Sequence, residues 1–173
     1  MVVINRDHPY YSPNYSSRKG TPIDTIIVHH TGGYYPGCCE WLCNKQSGAS
    51  AHFIIRSNGE ILEMVPVEYS AWHAGRGAFD LNEDGTISPL EKYFNRRSIG
   101  IELESDGHSY SEAQLDALEG LVIDLCLQYN IPAKHILGHK EIAPDRKWDP
   151  GNFDMNAFRD KIKYALSLTT DAK

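Results

Sequence analysis

Polar side chains of catalytic type gather at a few points along this chain. His29 and His30 close the run DTIIVHHT, Glu102 lies inside RSIGIELES, and His139 ends HILGH. Ten residues past His139, the stretch GHKEIAPDRKWDPG supplies Lys147 and Asp149 in a loop held by Pro144, Pro150 and Gly151. Strand ends and rigid loops are where a scaffold displays reactive groups. Two histidines and a carboxylate can hold a tetrahedral zinc ion and leave its fourth position to water, the arrangement of a catalytic site. The bland reading is also open. A histidine at a strand end is commonly a hydrogen-bonding residue, and a charged loop is commonly a solvated one.

A second cluster has a different chemistry. In DLNEDGTISPLE, Asp80, Asn82 and Asp84 occupy positions one, three and five of a twelve-residue EF-hand loop. Gly85 stands at the sharp turn, Thr86 offers a backbone carbonyl, and Ser88 sits at the ninth position. Ile87 is apolar, and Glu91 closes the pattern as the bidentate carboxylate. This spacing leads us to expect a structural calcium ion. It is half an EF-hand at most, because GRGAF before it offers no entering helix and the motif has no second copy. A sensor moves paired helices, so the expected role is a staple that orders an insertion beside the cleft.

These residues need elements to position them. DTIIVHHT reads as a buried β-branched strand, and PGCCEWLCNKQ as a short helix with Pro36 near its start. SAHFIIRSNGEILEMVP reads as a hairpin about Asn58-Gly59, a dipeptide suited to a type I′ turn. RSIGIELES is a second buried strand. Ser111 then opens a long helix with a Ser111/Gln114 capping box and an apolar face of Leu115, Leu118, Val122, Leu125 and Tyr129. HILGH is a short strand, and Asp154 caps a last helix that turns Phe158, Ile162 and Leu166 inward. The order β-α-β-β-β-α-β-α predicts an α/β fold, a mixed central sheet flanked by helices.

The 173 residues suffice for one core, so we expect a single domain over 1–173, with an irregular arm at 1–22 and the calcium-loop insertion at 78–96. The formal charge of −6 argues against nucleic acid or an anionic membrane, and four acids without a base at 80–91 account for −4 of it. No apolar run is long enough to span a bilayer, and the start does not read as a signal peptide. Cys38, Cys39, Cys43 and Cys126 lack paired C-x-x-C spacing. They read as reduced thiols, with a Cys39–Cys43 disulfide as the alternative.

The motifs VHHT, SAHFIIRSNGEI, AWHAG, RSIGIELES and GHKEIAPDRKWDPG, in that order, resemble the type 2 zinc amidases that cut N-acetylmuramoyl-L-alanine bonds. The resemblance spans about residues 22 to 168 and breaks off at 78–96. It implies zinc ligands at His29, His139 and Asp149, a catalytic glutamate at Glu102 and a catalytic lysine at Lys147. It also places His52, Trp72 and His73 in family-like motifs that could line the substrate cleft. The substrate it implies is peptidoglycan or a muropeptide. With no signal peptide in view, the expected setting is a phage or prophage endolysin, monomeric, made in the cytoplasm and reaching the wall after release. A cytoplasmic muropeptide-recycling amidase is the close alternative. A non-catalytic peptidoglycan-binding module and a calcium-responsive interaction protein are further alternatives.

Overall fold

A computed structural model describes residues 1–87 and 93–170. Six strands form a mixed central sheet: β1 (Ile4–Asn5), β3 (Thr25–His30), β4 (Phe53–Ile55), β5 (Ile61–Glu63), β7 (Ser98–Leu103) and β8 (Ile136–Gly138). Their spatial order is β1-β5-β4-β7-β3-β8. Only the β4–β5 pair is antiparallel among them. A separate two-stranded ribbon joins β2 (Tyr15–Ser17) to β6 (Tyr69–Ala71). The helices are α1 (Gly37–Leu42), α2 (Phe94–Arg97), α3 (Glu112–Tyr129), α4 (His139–Ile142) and α5 (Met155–Thr170).

Strand alternation divides the sheet's work between its faces. Ile26 and Val28 of β3, Phe53 and Ile55 of β4, Ile99, Ile101 and Leu103 of β7 point to one face. There they pack against Leu118, Leu121, Val122 and Leu125 of α3 and Phe158 and Ile162 of α5. The intervening residues, Ile27 and His29, Ser98, Gly100 and Glu102, therefore point to the other face. Apolar burial fixes the first face, and the chemistry occupies the second. The α/β expectation and the inward face of α5 are borne out.

Several local expectations need correction. The arm at 1–22 is not wholly irregular, because β1 extends the sheet edge and β2 pairs with β6. The hairpin turn is not type I′: Gly59 has a positive φ of 87°, but Asn58 does not share it. Gly59 N–H donates to Arg56 O at 2.9 Å and Arg56 N–H to Glu60 O at 2.9 Å, a three-residue loop with glycine at its left-handed position. Ser111 does cap α3, accepting from Gln114 N–H at 3.1 Å. The reciprocal half of the capping box is absent, because the Gln114 amide is buried and donates to Ile55 O and Glu104 O instead. Leu115 is 37% exposed, and Leu121 and Cys126 take its expected place in the core. All four cysteines are free thiols.

The start of the insertion is anchored by Leu81, buried beside Ile27, Phe94 and Leu137. Asp80 accepts from the N–H groups of Asp84 and Gly85 at 3.2 and 2.7 Å, and Asp84 from Thr86 N–H at 2.9 Å. The acids are not without a basic neighbour, as their sequence crowding suggests, because Glu83 pairs with Lys134 at 2.8 Å. Ser88 and Glu91, the last two positions of the calcium pattern, lie outside the described residues.

Candidate active site

His29 stands on β3 directly opposite Glu102 on the parallel neighbour β7. On its other side β8 runs parallel to β3 and ends at Gly138, so His139 emerges beside His29. His139 opens α4, and Asp149 returns to it through a loop that doubles back. Lys140 N–H donates to Asp149 O at 2.8 Å, and the Lys140 ammonium to Gly151 O at 2.6 Å. Glu141 holds α4 from behind, accepting from Gly138 N–H at 2.7 Å and from both terminal nitrogens of Arg159 on α5.

The result is a triangle of ligand-type atoms. His29 Nδ1 lies 3.0 Å from His139 Nδ1 and 2.8 Å from Asp149 Oδ2, and His139 Nδ1 lies 3.0 Å from that same oxygen. Among the described residues these three form the group of His, Cys, Asp and Glu side chains close enough to share a metal ion. His139 Nε2 donates to Ala74 O at 2.9 Å, which leaves its Nδ1 lone pair facing the triangle. Burial lowers the His29 pKa to about 4 against the pull of Asp149, so the ring is neutral at pH 7. Burial opposes ionisation of Asp149, but its contacts with His139 and His29 outweigh that and lower its pKa. Two imidazoles and a carboxylate are a fitting donor set for zinc.

A cleft of about 220 Å³ opens over this triangle and includes Glu102 and Lys147 in its walls. Burial raises the Glu102 pKa to about 8, with the Asp149 charge and the Cys38 thiol adding to it and Lys147 opposing. Glu102 Oε2 is sealed from solvent and has no hydrogen-bond partner among the described residues. A carboxyl poised near neutrality beside a metal-type cluster is suited to moving protons.

The remaining sequence candidates separate. Trp72 is 37% exposed and lines the cleft, its indole N–H donating to Ser16 Oγ at 2.9 Å. His52, expected as a substrate group, is fully buried: its Nδ1 accepts from Gly100 N–H at 2.9 Å, and its Nε2 is 2.9 Å from Tyr69 O. It is a framework residue, and burial with the nearby Arg18 charge lowers its pKa to about 3. His73 borders the cleft but lies beneath His29, only 8% exposed. Burial, then the surrounding His29, His52, His139 and Arg18, hold its pKa well below that of an ordinary histidine. His30 packs edge-on to Trp148 at 5.2 Å, with the Ser105 backbone beside its ring. Sequence reasoning did not single out Cys38, Trp41 and Ser50 as cleft walls. They come from an apolar-looking helix and a loop, and no local pattern marks them.

Residues 19–152 match the family model described as N-acetylmuramoyl-L-alanine amidase. The chain is 35% identical over 169 residues to the 1,6-anhydro-N-acetylmuramyl-L-alanine amidase AmpD of Escherichia coli (strain K12), covering 86% of this chain and 87% of that one. The solved E. coli amidase AmiD, in complex with the substrate anhydro-N-acetylmuramic acid-L-Ala-D-gamma-Glu-L-Lys, superposes with a TM-score of 0.67 at 28% identity. That match covers 91% of this chain and 61% of AmiD. The endolysin amidase LysCS from Clostridium intestinale URNW superposes at 0.68 with 24% identity, over 94% and 96% of the two chains, a likeness of fold. With the family model matched along most of its length and a near-full-length relative at this identity, the chain belongs to the N-acetylmuramoyl-L-alanine amidase family and is an enzyme of that activity.

Proposed function

We propose that this chain is a muropeptide-recycling amidase, hydrolysing the amide between the muramic acid lactyl group and L-alanine in soluble 1,6-anhydro-muropeptides. The observation that carries this reading is the near-full-length similarity to an amidase named for that substrate. A cytoplasmic setting goes with it, and no helix of the described residues is long and apolar enough to cross a membrane. The endolysin expectation has weaker support, because the likeness to the endolysin LysCS is one of fold.

The ligand set we assign is His29, His139 and Asp149. Bound there, zinc would supply an acidified water and polarise the amide carbonyl. Glu102, on the strand next to His29, would accept the proton of the attacking water and return it to the leaving alanine amine. Its pKa is raised in the metal-free protein, and the charge of a bound zinc ion would favour the carboxylate that accepts this proton. Lys147, at the cleft wall, would donate to the oxyanion as the carbonyl carbon becomes tetrahedral. Trp72, exposed at the rim, would pack against sugar or peptide.

The test compares two substrates. Zinc-loaded protein should release peptides with a free L-alanine amino terminus from a 1,6-anhydro-muropeptide much faster than from intact sacculi. Equal or faster release from sacculi would return the endolysin reading.

For the insertion we infer calcium binding through Asp80, Asn82, Asp84, Thr86 and Glu91, a reading supported by the sequence pattern alone. Calcium should raise the melting temperature by mass action. An unchanged melting temperature in millimolar calcium would remove that ion.

A further inference from the structure

Beneath the triangle, a row of side chains on the site face of the sheet constrains where protons can sit. Ser98 begins β7, and its hydroxyl donates its only proton to the carbonyl of Phe94, which can only accept. The same hydroxyl oxygen lies 3.0 Å from His73 Nε2. With the hydroxyl proton already committed, that contact requires the proton on His73 Nε2. A neutral imidazole has one N–H, so His73 Nδ1 is an acceptor. It lies 2.9 Å from His29 Nε2. His29 must donate there, which leaves its Nδ1 as a lone pair facing His139 Nδ1 and Asp149 Oδ2. The Ala74 carbonyl imposes the same tautomer on His139. In this tautomer set the two imidazole lone pairs and the Asp149 carboxylate oxygen converge on one point, where a cation would be held.

We propose that Ser98 and His73 are positioning residues, a relay from the Phe94 carbonyl that fixes the tautomer and ring orientation of His29. Neither touches the reacting atoms. The inference rests on the assignment of His29, His139 and Asp149 as zinc ligands.

The surrounding structure holds the relay in place. Asn95 Oδ1 accepts from the N–H groups of His73 and Ala74, at 3.1 and 2.7 Å. One side chain thus pins the two adjacent residues that grip the outer nitrogens of both histidine ligands. Arg146 donates to Ala74 O at 3.0 Å, fixing that carbonyl further. Gly100 leaves the slot in which the His73 ring lies, since a Cβ there would come within 2.4 Å of His73 Cγ. The AWHAG segment, which sequence reading assigns to the cleft lining, serves here as the mount for the metal ligands.

The test separates an acceptor from a space-filler at position 73. His73→Asn keeps an oxygen near the place of Nδ1, whereas His73→Leu fills the ring volume without an acceptor. Zinc affinity is read by competition with a chromophoric chelator, and folding by circular dichroism. His73→Leu should weaken zinc binding by about 10–100-fold, and His73→Asn should recover most of that loss. Equal affinities for the two variants, or tighter binding by His73→Leu, would overturn the relay. Long-range nitrogen–proton correlation spectra of the imidazole rings decide the matter without a variant. In the zinc-loaded parent, His73 should carry its proton on Nε2, and a proton on Nδ1 would overturn the inference even if His73→Leu fails to fold. A parent protein that binds no zinc would overturn the ligand assignment, and the His73 tautomer of the metal-free protein would then judge the relay separately.

Discussion

Replacing Glu102 with glutamine should stabilise the metal-free protein, and the size of that gain should depend on pH. The carboxyl lies on the site face of β7 with one oxygen sealed from solvent and unpartnered among the described residues. Its pKa is raised from 4.5 to about 8, chiefly by burial. The folded state therefore holds this proton more tightly than the unfolded chain does. Between those two values the native protein binds one more proton than the unfolded chain, so stability falls as pH rises. Each pH unit of that interval is worth about 1.4 kcal/mol. From pH 5 to pH 8 the parent should lose about 3 kcal/mol relative to Glu102→Gln, allowing for the side of the carboxyl that faces the cleft. In a chain of this size that is roughly 6–12 °C of melting temperature. The assay is urea unfolding of both proteins, stripped of metal, at several pH values across this range. Other titrating groups cancel in the difference between parent and variant. A difference that changes by less than about 1 kcal/mol across the range, or grows in the opposite direction, would refute burial as the source of the raised pKa.

Three further outcomes are expected. Glu102→Gln and Lys147→Met should each retain one zinc per chain by metal analysis while turnover falls by about 10²–10⁴-fold and 10²–10³-fold; near-parental turnover in either would remove that residue from the chemistry. Asp149→Ala, which removes one corner of the triangle, should leave dialysed protein with little zinc, and full zinc content after dialysis would exclude Asp149 as a ligand. Arg18 is buried and donates to Val67 O at 2.9 Å, Arg96 O at 2.6 Å and Ser98 O at 3.0 Å. Arg18→Met should cost about 3 kcal/mol in urea unfolding, because it strands buried carbonyls, and a cost below about 1 kcal/mol would show that water replaces the guanidinium.

Much of the site was legible in the sequence because its residues sit at ends of strongly patterned strands. The runs DTIIVHHT and RSIGIELES are apolar enough to demand burial, and their two-residue period decides which side chains share a face. Ser111 and Asp154 mark helix starts because short polar side chains satisfy free N–H groups there, and both do so. The ordered motifs identified the family, and with it the candidates His29, Glu102, His139, Lys147 and Asp149.

Tertiary structure decided what depends on partners distant in the chain. Alternation does not say that β3 pairs with β7 in the register that sets His29 against Glu102, or that β8 lies on its other side. Gln114 leaves its capping role because two carbonyls from other segments, Ile55 O and Glu104 O, need a donor inside the core. Lys134 neutralises Glu83 across 51 residues of sequence. His52 and His73 stand in similar-looking motifs beside small or aromatic residues, yet the first braces the backbone of Gly100 and the second contacts the His29 ring. Local sequence sets propensity and face, since those follow from steric preference and burial. Which donor meets which acceptor is a property of the packed chain, because each such pair forms only when both groups lose water together.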